Sequence, residues 1–112
     1  MVWIDPADQQ IRAALGLGAR TIELNTSAYS DATLMNTLSK AGVETLQSIR
    51  ESAEFAHSRD MQVLAGHGLT YRNVRTIAEI PQIVELNIGH NIVARSALVG
   101  LDRAVREMLA LL

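Results

Sequence analysis

The 112-residue chain contains no cysteine, so disulfides, thiolate metal sites and a cysteine nucleophile are excluded. Aromatic residues are few. Trp3, Tyr29, Phe55 and Tyr71 are the only four, too sparse a set to stack successive bases of a nucleic acid. Neither sign of charge dominates: ten basic residues, nine of them arginine, face twelve acidic ones, for a net charge of −2. Recognition of nucleic acid or membrane by bulk charge is therefore not expected. No apolar run approaches the roughly 18–20 residues that span a bilayer, and Met1 to Asp5 lacks the basic-then-apolar layout of a secretory signal. The expected compartment is the cytoplasm. What is abundant is apolar content: 48% of the residues are hydrophobic, enough to build a core.

Short apolar runs alternate with amphipathic stretches, the pattern of parallel strands joined by crossover helices. Strands are predicted at Val2–Ile4, Thr21–Asn25, Gln62–Ala65 and Val84–Ile88. Asp5-Pro6-Ala7-Asp8 reads as an N-cap carboxylate, a proline at the first helical position and an acid three residues after the cap. The helix that follows is predicted to run to about Leu17, with Ile11, Ala14 and Leu15 on one face and Gly18 as its left-handed terminator. Thr26 to about Thr33 reads as a polar loop. Beyond it comes the longest helical pattern, with Leu38, Gly42, Leu46, Ile49, Ala53 and Ala56 on one face and Lys40, Glu44, Gln47, Arg50, Glu51 and Glu54 on the other. Shorter helices are predicted over about 73–79, 92–98 and 101–112, with Pro81 and Gly100 as breaks.

Residues 1–112 are thus expected to form a single α/β domain of four βα units, with no repeat and no low-complexity linker. Such a sheet in sequential order has two bare edges. A complete (β/α)₈ barrel typically needs about 250 residues, so the chain reads as half of one. In barrels and open α/β sheets, ligands bind beyond the carboxyl ends of the strands. The polar residues collect there: Asp5 after strand one, Glu23 and Asn25 on strand two, Gly66-His67-Gly68 after strand three and Gly89-His90-Asn91 after strand four.

Gly89-His90 lies between a strand and a short helix, where backbone N–H groups can hold a phosphate, although a tight turn with a surface histidine fits equally. His67, flanked by glycines, is a candidate general acid, and a plain strand-to-helix turn is the competing reading. Glu23 is either a carboxylate facing a barrel interior or a member of an internal salt bridge. Asp5 reads as a helix cap, His57 as a solvated residue near a helix end, and Arg72, Arg75, Arg95, Arg103 and Arg106 as solvated or interfacial. Three histidines without ligand spacing give no metal site.

Ala65-Gly66-His67-Gly68-Leu69-Thr70-Tyr71 followed by Glu85-Leu86-Asn87-Ile88-Gly89-His90 resembles the pyridoxine 5′-phosphate synthase family, and the resemblance extends through Trp3-Ile4-Asp5, Thr21 to Thr26, and Tyr29. It implies the C-terminal half of a (β/α)₈ barrel that assembles as dimers and octamers. It also implies the condensation of 1-deoxy-D-xylulose 5-phosphate with 3-amino-2-oxopropyl phosphate to pyridoxine 5′-phosphate, phosphate and water, without metal or organic cofactor. Carried over by residue, His67 becomes the proton donor and Glu23 the transition-state-stabilising carboxylate. Gly68 contacts the amino-ketone phosphate, and Gly89 with His90 cradles its phosphate group.

Two departures stand out. Asn25-Thr26-Ser27 occupies the place of the family's usual His-Thr-Gly. The family's first-half residues, an asparagine-aspartate-histidine strand end, two proton acceptors and substrate-binding arginines, have no counterpart here. The expectation is therefore a portion of the enzyme that cannot turn over alone and that assembles as a homo-oligomer. The alternative is a non-catalytic phosphate-binding half-barrel that self-associates, and another phosphate-using barrel enzyme is a third reading.

Overall fold

A computed structural model describes residues 2–34 and 38–112. In chain order the elements are β1 (Val2–Ile4), α1 (Asp8–Gly16), β2 (Thr21–Asn25), α2 (Ser27–Ala32), α3 (Lys40–Ser58), β3 (Gln62–Gly66), α4 (Val74–Ala78), β4 (Ile83–Asn87), α5 (His90–Val99) and α6 (Leu101–Leu111). The four strands form one sheet in the order β1-β2-β3-β4, and every pair is parallel. The register aligns Trp3 with Glu23, Glu23 with Leu64, and Leu64 with Glu85. One row above, Asn25 aligns with Gly66 and Gly66 with Asn87.

Strand alternation divides these residues between two unlike faces. Ile4, Ile22, Leu24, Val63 and Ala65 point to the helices and join Ile11, Ile49, Ala53, Ala56 and Ile77 in the buried core. The opposite face carries Trp3, 55% exposed, with Glu85 and Asn87 exposed and Glu23 partly buried. All-parallel sheets are ordinarily covered on both faces, whereas here the described residues cover one. The fold is thus an α/β half-barrel with its lumen side open. The outer edges of β1 and β4 have no strand partner among the described residues.

The elements depart from expectation at three places. Asp5 does not cap α1. The chain turns at Pro6, where the Ala7 N–H donates to the Asp5 carbonyl at 2.8 Å, and Ala7, with extended backbone, is the N-cap residue and makes no side-chain cap bond. The Asp5 carboxylate instead accepts from Asn25 Nδ2 at 3.1 Å and Gln10 Nε2 at 3.4 Å, while its own N–H donates to Gln10 Oε1 at 2.7 Å. The carboxylate thus bridges the neighbouring strand end and the Gln10 side chain of α1 and caps no backbone N–H of the helix. The second departure is α2, which lies within the expected loop; only Tyr29 and Ser30 of its six residues are buried, too few to print a helical period. The third is Leu38, expected on the buried face of α3 but 82% exposed. It precedes Ser39, the true N-cap, whose Oγ accepts from Gly42 N–H at 3.0 Å, so helical spacing does not extend to it.

Gly18 ends α1 with φ +81°, as expected. The polar face of α3 is solvent-exposed throughout, as the pattern required. At the C-terminal end, α5 and α6 pack as a helical pair tied by Arg95, which donates to Glu107 at 2.9 and 3.3 Å, and Arg103 adds a third bond at 3.0 Å.

Candidate functional site

The carboxyl ends of β2, β3 and β4 open into a concavity of about 860 Å³ lined by Glu23, His67, Gly68, Asn87, Gly89 and His90, among others. All five residues singled out from the sequence, His67, Glu23, Gly68, Gly89 and His90, therefore meet in one place. Asp5 and Asn25 do not line it; they form a separate hydrogen-bonded group at the β1 and β2 ends, where Asn25 Oδ1 also accepts from Ser27 N–H and Oγ–H. His57, exposed in the last turn of α3, lies outside it too.

Glu23 projects from the lumen face of β2, half-buried. Its Oε1 accepts a hydrogen bond from Asn87 Nδ2 on β4, two strands away. Gly66, on the strand between them, leaves room for that contact. A Cβ at Gly66 would lie 2.8 Å from the Asn87 carbonyl oxygen and 3.4 Å from Glu23 Oε2. The salt-bridge reading of Glu23 is not what the structure contains; its partner is a neutral amide, so the carboxylate's charge is uncompensated by any ion pair among the described residues.

His67 follows β3 with φ +90°, a left-handed backbone that costs a non-glycine residue of order 1–3 kcal/mol. Its carbonyl accepts from Thr26 Oγ at 2.7 Å and from Ser30 Oγ at 3.3 Å. Thr26, fully buried, also bonds the Gly66 carbonyl through its hydroxyl at 2.8 Å and its N–H at 2.9 Å. The His67 ring is exposed and meets the Trp3 indole edge-on, with centroids 6.1 Å apart and planes at 66°. Gly68 follows at φ +78°, and a Cβ there would lie 3.0 Å from Ser30 Cβ. Glycine is needed at 68 on both counts.

Across the concavity, Gly89 is the N-cap of α5, with no capping side chain and no acidic residue in the first turn. The first N–H groups of a helix have no intrahelical partner and carry partial positive charge. A Cβ at Gly89 would meet no protein atom within 4 Å, so the space before that helix end is open. Asn91 Oδ1 accepts from Tyr71 N–H at 3.3 Å, tying the start of α5 to the loop after β3.

Below the rim, a buried network braces the β3–α4 loop. The Tyr29 hydroxyl donates to the Asn73 carbonyl at 2.7 Å, and Asn73 bridges Thr70 N–H at 2.7 Å and the Thr33 hydroxyl at 3.0 Å. Burial raises the Tyr29 phenol above its ordinary value, so it stays neutral. Thr26, Ser30, Asn87 and Trp3 were not singled out as site residues from the sequence. Only Trp3 and Asn87 carried a signal, by falling on the lumen face at or near strand ends; Thr26 and Ser30 act through a helix the pattern did not reveal. Among the described residues no group of three His, Asp or Glu side chains is placed to hold a metal ion.

A one-sided parallel sheet with its polar groups gathered at the strands' carboxyl rim defines an incomplete α/β barrel. The family model described as "Pyridoxal phosphate biosynthesis protein PdxJ" matches residues 1–112, and the chain belongs to that family. Among curated relatives, the pyridoxine 5′-phosphate synthase of Idiomarina loihiensis is 50% identical over 107 residues, covering 96% of this chain and 43% of the relative. That of Legionella pneumophila (strain Corby) is 52% identical and that of Prochlorococcus marinus (strain MIT 9303) 49% identical, each over 96% of this chain and 42% of the relative. The chain thus spans about two-fifths of the length of these relatives, which are (β/α)₈ barrels. No helix among the described residues is long and apolar enough to cross a membrane.

Proposed function

We propose that the chain is the C-terminal half-barrel, a single domain, of a cytoplasmic pyridoxine 5′-phosphate synthase. The reaction is the condensation of 1-deoxy-D-xylulose 5-phosphate with 3-amino-2-oxopropyl phosphate to pyridoxine 5′-phosphate, inorganic phosphate and water. The observation that carries the reading is the convergence of two glycine-histidine turns and a carboxylate on one concavity. His67 is the proton donor: an imidazole is the side chain best matched to giving a proton near neutral pH, and loss of water from the condensing substrates needs one. Glu23 is positioned by Asn87 to stabilise positive charge developing on the amine nitrogen, in a place where no ion pair among the described residues competes for it. Gly68 contacts the amino-ketone substrate. Gly89 and His90 hold its phosphate at the start of α5, where unpaired N–H groups, the helix dipole and open space coincide.

The proton acceptors required to complete turnover lie, on this reading, in the other half of the barrel. The test is product formation from the two substrates, followed by chromatography, with the 112-residue chain alone and after addition of the N-terminal half of a relative. Product is expected only after complementation. Within the complemented enzyme, His67→Asn lowers kcat more than it raises KM, and unchanged kcat would remove His67 from the mechanism.

A second reading is supported by the unpaired edges of β1 and β4: a non-catalytic phosphate-binding half-barrel that closes on copies of itself. Both readings predict that inorganic phosphate raises the Tm of the chain and that Gly89→Val, whose Cβ has no protein atom within 4 Å, abolishes the rise. They separate on turnover after complementation.

A further inference from the structure

We infer that Thr26, assisted by Ser30, is the positioning residue that aims His67 into the concavity. The pairing of β3 with β4 shifts register between Val63 and Leu64, and from there to the strand end the alternation is regular: Leu64 and Gly66 face the lumen side and Ala65 the core. Continued one residue further, that alternation would send residue 67 toward the helices. The left-handed turn at His67, φ +90°, breaks it and brings the ring onto the lumen side, against Trp3. That backbone state is disfavoured for histidine and persists only where its surroundings hold it.

Thr26 and Ser30 hold it. The Thr26 hydroxyl is shared between the Gly66 and His67 carbonyls at 2.8 and 2.7 Å, and its N–H fixes the Gly66 carbonyl from a second direction at 2.9 Å. The Ser30 hydroxyl reaches the His67 carbonyl at 3.3 Å. With Thr26 fully buried, no water can replace its hydroxyl without rearrangement. Neither residue touches the concavity, so both act through the backbone of 66–68. The catalytic consequence rests on the proton-donor role of His67, but the orientation itself can be measured without turnover.

Trp3 is the one tryptophan among the 112 residues, and its contact with His67 supplies the reporter. A protonated imidazole against an indole quenches its fluorescence, so Trp3 emission should rise as the pH is raised and the His67 ring gives up its proton. His67→Asn should abolish that rise; if the rise survives in full, the Trp3–His67 contact is wrong and the inference falls with it. Thr26→Val keeps the shape and removes the hydroxyl, whereas Thr26→Ser keeps the hydroxyl. The valine variant should lose at least half of the pH-dependent amplitude while the serine variant retains it. A folded Thr26→Val with the parent's amplitude would overturn the inference. Should Thr26→Val not fold, Ser30→Ala decides: a reduced amplitude supports the clamp and an unchanged one overturns it. Loss of the phosphate-induced Tm rise with this fluorescence pattern intact would refute the functional reading alone.

Discussion

Three glycines around the concavity are there for three different reasons, and substitution separates them. At Gly68 the backbone is left-handed and Ser30 blocks a Cβ, so Gly68→Ala should destabilise the chain by at least about 1–2 kcal/mol in denaturant unfolding. At Gly66 the obstacle is the Asn87 carbonyl, a backbone atom that cannot swing aside; Gly66→Ala should cost about 1–3 kcal/mol and loosen the Glu23–Asn87 contact. Gly89, with nothing within reach of a Cβ, should tolerate substitution in stability while losing phosphate response. Tyr29→Phe removes a buried hydrogen bond and leaves the Asn73 carbonyl unpaired, a loss of about 1–2 kcal/mol at neutral pH. Because burial raises the Tyr29 pKa, the stability tied to its neutral phenol is complete below the ordinary value near 10 and falls as the pH rises beyond it. The parent and Tyr29→Phe should therefore converge in Tm at high pH.

At the scale of the elements, the C-terminal pair α5–α6 is held by an ionic tie that is pH-sensitive. Hydrogen bonds from Arg95 and then Arg103 lower the Glu107 pKa. A carboxylate with a depressed folded pKa contributes stability above its unfolded value, and that contribution is lost as the pH falls through the folded one. Glu107→Gln should thus lower Tm at neutral pH, and the difference should vanish once the pH drops below the carboxylate range. Calorimetry at three pH values checks both signs. The strands were legible because four β-branched and leucine-rich runs of three to five residues stood between breaks; α3 was legible because nineteen residues repeat its pattern five times. The six residues of α2 were not, since its structure depends on Tyr29 finding Asn73 forty-four residues away.

At the scale of the whole chain, the described residues present an uncovered lumen face and two parallel edges without a strand partner, a surface that a stable protein in solution pairs or covers. Sedimentation velocity should accordingly find species above the monomer mass that grow with concentration, and addition of the complementary barrel half should replace them with a single complex. A strictly monomeric chain at high concentration would remove the homo-oligomer from the functional reading.

Local chemistry was enough to place the strands, the glycine turns and the histidines at the carboxyl rim, because side-chain alternation and turn-forming residues are properties of neighbouring residues. The family motifs added roles to those positions. Tertiary structure alone decided where side chains went when a distant partner competed with a near one. Asp5 took Asn25 as a partner in place of the backbone of α1, Glu23 took Asn87 from two strands away, and Thr26 fixed His67 across forty-one residues. In each case the deciding partner sits at another strand of the sheet or just beyond its end, remote in the chain, where local sequence preference cannot anticipate it.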